Sequence, residues 1–221
     1  MDKSTFLKLA AVAACVTALT TLGVHFISFS ADTFEERLLL GRDPLYVFQK
    51  WMIVAHAHLV IVSMVGAATV AAGHNKGAAM LSTLFFAVFG ITESARMLMV
   101  IAWLSPMKEK YLAATDTVAQ QMLRLQMESF GQLSIAMFLL FILAFSLGNL
   151  FMGLALPKAE KTDRWMARGF LFWAALTLLA FANHFWENAA AEAIVEANNK
   201  FFQPAFRAAI GWWLWRKARA E

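Results

Sequence analysis

The apolar residues of this 221-residue chain come in blocks of about 20, and that grouping limits the possible folds more than any other feature. As a helix, a block of that length crosses about 30 Å of hydrocarbon. Five such spans fall at about 5–28, 50–73, 78–104, 129–156 and 166–187. Hydrophobic residues make up 60% of the chain and charged residues 15%, against roughly 25% charged in soluble domains. The expected fold class is therefore all-α: a polytopic membrane helical bundle, one domain over residues 1–221, with the lipid bilayer as its first partner. The single cysteine, Cys15, excludes a disulfide scaffold, a cysteine-held iron–sulfur cluster and a structural zinc site. The net charge is +4, but the basic residues sit at helix ends and form no stripe. They read as topology signals, and nucleic acid is not an expected partner.

The N-terminus imitates a targeting segment, with Lys3 and Lys8 ahead of an apolar run and a lipoprotein-like Val12-Ala13-Ala14-Cys15 box. The run before Cys15 is short for that role and hydrophobicity continues to Phe29, so a retained first span is expected. Residues 73–77 (GHNKG) form a tight turn that makes the second and third spans a hairpin. Pro157 opens a second short link after the fourth span. The segment from Thr115 carries a helical apolar stripe without breakers and should extend the fourth span as a helix over 115–156, projecting from the bilayer. Around Phe34 to Leu40 a short amphipathic stretch is expected at the interface. Beyond Glu187 the chain is polar, then ends in a block interrupted by Pro204 and Arg207. That block carries Trp212, Trp213 and Trp215 with Arg216, Lys217 and Arg219. It reads as an interfacial helix over 205–218, with a half-inserted sixth helix across 201–215 as the alternative. Lys3, Lys8, Lys76, Lys158, Lys161, Arg164 and Arg168 cluster in short segments on one side. The opposite loops dilute their cations with acids such as Asp32, Glu35, Glu36 and Glu192. Charge density places the N-terminus in the cytoplasm, in a membrane of the bacterial inner-membrane type.

Ionisable groups inside membrane spans are functional candidates by default. Of the five histidines, His74 falls in the tight turn and reads as a solvated loop residue. His25, His56, His58 and His184 map to one outer layer, His56 and His58 lying about 9–12 Å into the second span. Glu93 and Arg96 reach that layer three residues apart on one face of the third span. Either they form an internal ion pair that fixes packing, or they act chemically. In the second case Arg96 holds an anionic group such as a haem propionate, Glu93 handles protons, and the two are the candidate catalytic residues. Glu128 and Gln132 should enter the layer from the fourth span, with Asn183 and Glu187 beside His184. Asn149, on the opposite side, reads as a packing hydrogen bond. Within AHAHL, His56 and His58 diverge by about 200° around the helix and cannot easily share one metal ion. Below His56 run Ser63, Gly66, Ala67 and Gly73, small residues that admit a flat ligand or another helix. His56 is thus the better ligand for a planar cofactor, and His58 a second ligand or a hydrogen-bonding partner.

The run Lys50-Trp51-Met52-Ile53-Val54-Ala55-His56, with small residues continuing down the helix, resembles styrene oxide isomerase, a small integral membrane enzyme family that uses haem b. The resemblance implies a four-helix core over about residues 5–156, a first span ending near a histidine (His25) and an oligomer with haem near subunit contacts. It puts the axial-ligand role on His56. It also implies a small lipophilic epoxide as substrate, opened to a carbonyl with ferric iron as the Lewis acid. AHAHL is similar, too, to histidine-bearing helices of haem–copper oxidases, but the chain lacks that class's twelve spans. His58, the fifth span with His184 and the Trp-rich tail depart from the isomerase pattern.

Two other classes compete with a haem isomerase. One is an electron-transfer or accessory subunit of a membrane complex, with haem between His56 and either His25 or His184. The other is a transporter of small solutes or metal, with His25, His56, His184 and the Glu93–Arg96 pair along its path. An isomerase also needs an open iron position and a dry pocket, which Phe- and Met-rich spans can supply.

Overall fold

The computed structural model describes residues 1–221 apart from 28, 30, 32 and 157–159. Asp32, Pro157 and Lys158, used above for charge balance and for the stop of the fourth span, lie outside the described residues. The described chain is all-α: α1 (Lys3–Phe26), α2 (Phe34–Leu39), α3 (Pro44–Ala71), α4 (Lys76–Met99), α5 (Ser105–Ala113), α6 (Thr117–Ala155), α7 (Lys161–Trp186), α8 (Ala189–Ala197) and α9 (Gln203–Ala220). Short polar side chains start most of them, because each accepts from an amide that the first turn leaves unpaired. Asp2 caps α1 through the Thr5 amide at 2.7 Å, a bond that also holds its carboxyl below the usual range. Asp43 precedes Pro44, Asn75 accepts from Ala78, Asp116 from Val118 and Ala119, and Asn188 from Ala190 and Ala191. Thr33 and Glu36 form a reciprocal capping box on α2.

Among the described residues, five helical stretches are long and apolar enough to cross a membrane: Lys3–Phe26, Pro44–Ala71, Lys76–Ala113, Thr117–Ala155 and Lys161–Trp186. Their outward faces present Leu19, Met80, Leu84, Ile91, Leu140 and Leu154. Apolar faces that wide are matched by lipid rather than by water. The 38-residue third stretch and the 39-residue fourth are each nearly 60 Å long, about twice the hydrocarbon thickness. The projection expected for the fourth span is present, and the third projects beside it to Ala113 rather than stopping near 104. A π turn at Val100–Leu104 carries the third helix past Pro106, since a wide turn absorbs the amide that proline lacks. The projecting segments meet α2 in a small cluster of Leu38, Met107 and Met127, and Arg42 pairs with Glu109 at 2.6 Å.

Chain direction follows from contacts between helix ends. Lys3 pairs with Glu221, while Lys217 pairs with Glu160 and Asp163. Thr20 meets His56 and Gln49 meets Ile27, so α3 runs antiparallel to α1. The starts of α1, α4 and α7 therefore share one end of the bundle with the end of α9.

The tail departs from the expected interfacial helix over 205–218. A second π turn, Asn198–Phe202, precedes Pro204 and keeps 189–220 helical. The rod packs along α1, burying Ile210, Trp213 and Leu214 completely. Pro204 and Arg207 do not interrupt it, and it is a sixth member of the bundle. Small residues allow the approach: a Cβ on Gly211 would stand 2.5 Å from Cys15 Sγ and 2.9 Å from the Ala11 carbonyl oxygen. Asp163, buried on α7, then accepts from Trp213 Nε1 at 2.8 Å and from Lys217 Nζ at 2.9 Å. The stripe below His56 is likewise filled by helices, with Gly66 against Ala10 and Leu214. Of the two uses foreseen for that stripe, helix packing is the one realised.

Candidate ligand-binding cavity

In the half of the bundle away from Lys3 and Glu221, the helices line a half-open cavity of about 500 Å³, within the range of small-molecule sites. Each spanning helix and the α8–α9 rod contribute. His25 comes from α1, His56 from α3, and Glu93 and Arg96 from α4. Phe138, Phe141 and Phe145 come from α6, Trp173, Asn183 and His184 from α7, and Asn198 and Arg207 from the rod. Phe145 packs edge-to-face on Trp173, with centroids 4.9 Å apart, where the cavity lining joins the hydrophobic core. The outer layer drawn from helix depth is thus one space. His25, His56, His184, Glu93 and Arg96 all line it.

Other residues assigned to the layer do not reach it. His58 is exposed on the far face of α3, its Nδ1 2.8 Å from the Val54 carbonyl oxygen and 3.5 Å from Ser94 Oγ. Two positions along a helix place it roughly opposite His56. Glu128 is exposed and pairs with Arg124 at 2.9 Å, and Gln132 is exposed as well. Glu187 ends α7 in a left-handed conformation, φ 46°, facing outward. His74 is exposed in the turn, and Asn149 is buried with its amide nitrogen on the Phe145 carbonyl. Among the described residues no three His, Cys, Asp or Glu side chains gather closely enough to hold a metal ion. His25, His56 and His184 therefore share a cavity without forming a three-ligand site.

His56 has a defined orientation. Its Nδ1 lies 2.7 Å from Thr20 Oγ1, which is also 3.1 Å from the Val16 carbonyl oxygen and 3.2 Å from that of Thr17. A hydroxyl has one proton, and a threonine on a helix gives it to a carbonyl of the preceding turn. Oγ1 is then an acceptor, so Nδ1 carries the imidazole proton and Nε2 keeps a free lone pair. Nε2 has no protein partner among the described residues.

Glu93 and Arg96 form the expected internal pair. Arg96 Nε donates to Oε2 and Nη2 to Oε1, both at 2.8 Å. The side chains are 9% and 19% exposed, and the guanidinium rests near Phe138 and Phe141. With each carboxylate oxygen accepting from Arg96, Glu93 is the counter-ion of that guanidinium.

Arg207 is the site residue that sequence reasoning missed. It is 1% exposed, its Nε and Nη1 have no hydrogen-bond partner, and its guanidinium lies 5.0 Å from the Trp173 ring centroid. A signal was present: Arg207 shares the stripe of Ile210, Gly211, Leu214 and Ala218 at helical spacing. The Thr20–His56 contact has no comparable signature, because it joins residues 36 apart on different helices.

Fold and cavity together define a helical bundle of membrane type with a ligand-sized space among polar groups. No family model, curated protein or solved structure matches the chain.

Proposed function

We propose that this is an integral membrane haem b protein with His56 as the axial ligand, isomerising small lipophilic epoxides to carbonyls. The observation that carries the reading is the His56 imidazole, held through Nδ1 by Thr20 with Nε2 free at the wall of an aromatic cavity. The donor set fits haem b. It combines one oriented neutral imidazole, aromatic walls for a macrocycle, and the unpaired Arg207 guanidinium for an acid group. When bound, ferric haem supplies a Lewis acid for an epoxide oxygen.

The chain's own residues have separate tasks. Thr20 fixes the imidazole plane and its tautomer. Phe138, Phe141 and Phe145 give the cavity an apolar aromatic surface for a lipophilic substrate. The Glu93–Arg96 pair sets a fixed dipole in its wall and orients a polar substrate group without net charge. By the density of basic residues the N-terminus is cytoplasmic in a bacterial inner membrane, and a homo-oligomer or membrane complex is the expected assembly.

Protein purified in detergent should show a Soret band and a pyridine haemochrome of the b type, and His56→Ala should lose both. No Soret band in the wild type after haemin addition would refute the reading. His25 and His184 line the same space, which favours electron transfer as a second reading. A six-coordinate low-spin spectrum that changes in His25→Ala or His184→Ala would select it.

A further inference from the structure

Among the described residues that line the cavity, Glu93 is the sole acid, and both its oxygens accept from Arg96 at 2.8 Å. Arg207 adds a second guanidinium and brings no anion with it. Its Nε and Nη1 are buried without an acceptor, and it is 1% exposed. Trp173, 0% exposed and also in the lining, has an Nε1–H without an acceptor. The Trp173 and Phe145 rings lie 5.0 and 5.8 Å from the Arg207 guanidinium carbon. They offer their π faces to the cation, which does not satisfy its N–H groups.

One uncompensated cation and two residues with unused donors call for one anionic acceptor. The planar fork of an arginine matches a carboxylate. Phe138, Phe141 and Ile142 in the same lining suit an apolar body attached to it. We propose that Arg207 binds the carboxylate of an amphipathic molecule lodged in this cavity, with the Trp173 indole N–H as an auxiliary donor. The inference rests on the cavity being the binding site, as in the reading above, but not on haem being its occupant. The acid group has two sources, a propionate of haem b or a membrane fatty acid.

The test compares each acid with its neutral ester on the full-length protein in detergent. Haemin and haemin dimethyl ester are titrated by absorbance, and radiolabelled oleate and methyl oleate by equilibrium binding. At least one acid should bind the wild type about tenfold or more tightly than its ester, as a buried charged contact implies. That preference should vanish in Arg207→Leu and survive in part in Arg207→Lys. Thermal unfolding of both variants checks that they fold, and the wild-type comparison stands without either. A purely packing role for Arg207 would weaken acid and ester alike. A haemin preference that depends on Arg207 supports both this inference and the haem reading. An oleate preference with no haem bound supports this inference and refutes the other. Acid and ester binding alike, an acid preference that persists in Arg207→Leu, or no acid bound at all overturns the assignment.

Discussion

Replacing Glu93 with glutamine removes one charge from a pair that is mostly enclosed, and its effect can be worked from the geometry. Glu93 is 9% and Arg96 19% exposed at the side chain, and two hydrogen bonds of 2.8 Å join them. In Glu93→Gln the Arg96 charge stays where it is but keeps only one neutral acceptor. The rings of Phe138 and Phe141, at 5.5 and 5.8 Å, near the outer limit for such contacts, offset only part of this, since a cation–π contact contributes about 0.5–1 kcal/mol when exposed and about 2 kcal/mol when desolvated. Breaking a buried pair on one side costs about 3–5 kcal/mol, and the residual exposure of Arg96 puts this case near the lower end. For a chain of this length, about 3 kcal/mol lowers Tm by roughly 6–12 °C. With eight tryptophans, intrinsic fluorescence in detergent can follow unfolding. The double variant Glu93→Gln/Arg96→Met should recover most of the loss, because it leaves no stranded charge. A Glu93→Gln protein melting within about 2 °C of wild type, less than 1 kcal/mol on that scale, would show that the pair is not desolvated.

Three further outcomes follow from the packing. His58→Ala should leave ligand binding in the cavity unchanged, because His58 faces away from it; loss of haem in this variant together with full occupancy in His56→Ala would reverse the assignment. Gly211→Leu should displace α9 from α1, since even a Cβ meets Cys15 Sγ at 2.5 Å, and limited proteolysis should then release the C-terminal rod. Membrane-impermeant thiol labelling of Lys76→Cys and Lys161→Cys, in a Cys15→Ser background, should mark both from the same side, and opposite sides would break the chain directions described for the bundle.

The five spans were legible because hydrocarbon thickness sets a length scale that a sequence either meets or does not. Helix starts were less legible: Asp43, Asn75 and Asp116 cap α3, α4 and α6, but hydropathy alone does not see them, and α3 begins at Pro44 rather than near 50. Depth alone placed His25, His56, His184, Glu93 and Arg96 in a common layer, and that layer is the cavity. Depth says nothing of azimuth, however, and Glu128 and Gln132 failed on that coordinate, whereas the divergence of His58 from His56 around the helix is found as expected. The tail was misread for another reason. Pro204 and Arg207 look like helix breakers and lipid-averse groups only when judged alone. A π turn ahead of the proline and a cavity beside the arginine remove both objections, and both depend on tertiary neighbours.

The pairing of α1 with α9 also orders how the bundle is made. The rod that ends in α9 is not among the helices apolar enough to cross a membrane unaided, and it brings Arg207, Arg216, Lys217 and Arg219 with it. Lipid would reject such a segment, so it has to be admitted by helices already in place. Its berth is the alanine-lined groove of α1, a span synthesised well before it. That groove waits while the helices between are synthesised, and the cavity acquires its α8–α9 wall only when this rod docks. Until then Arg207 is absent from the site, so a nascent bundle cannot hold the ligand of the finished one.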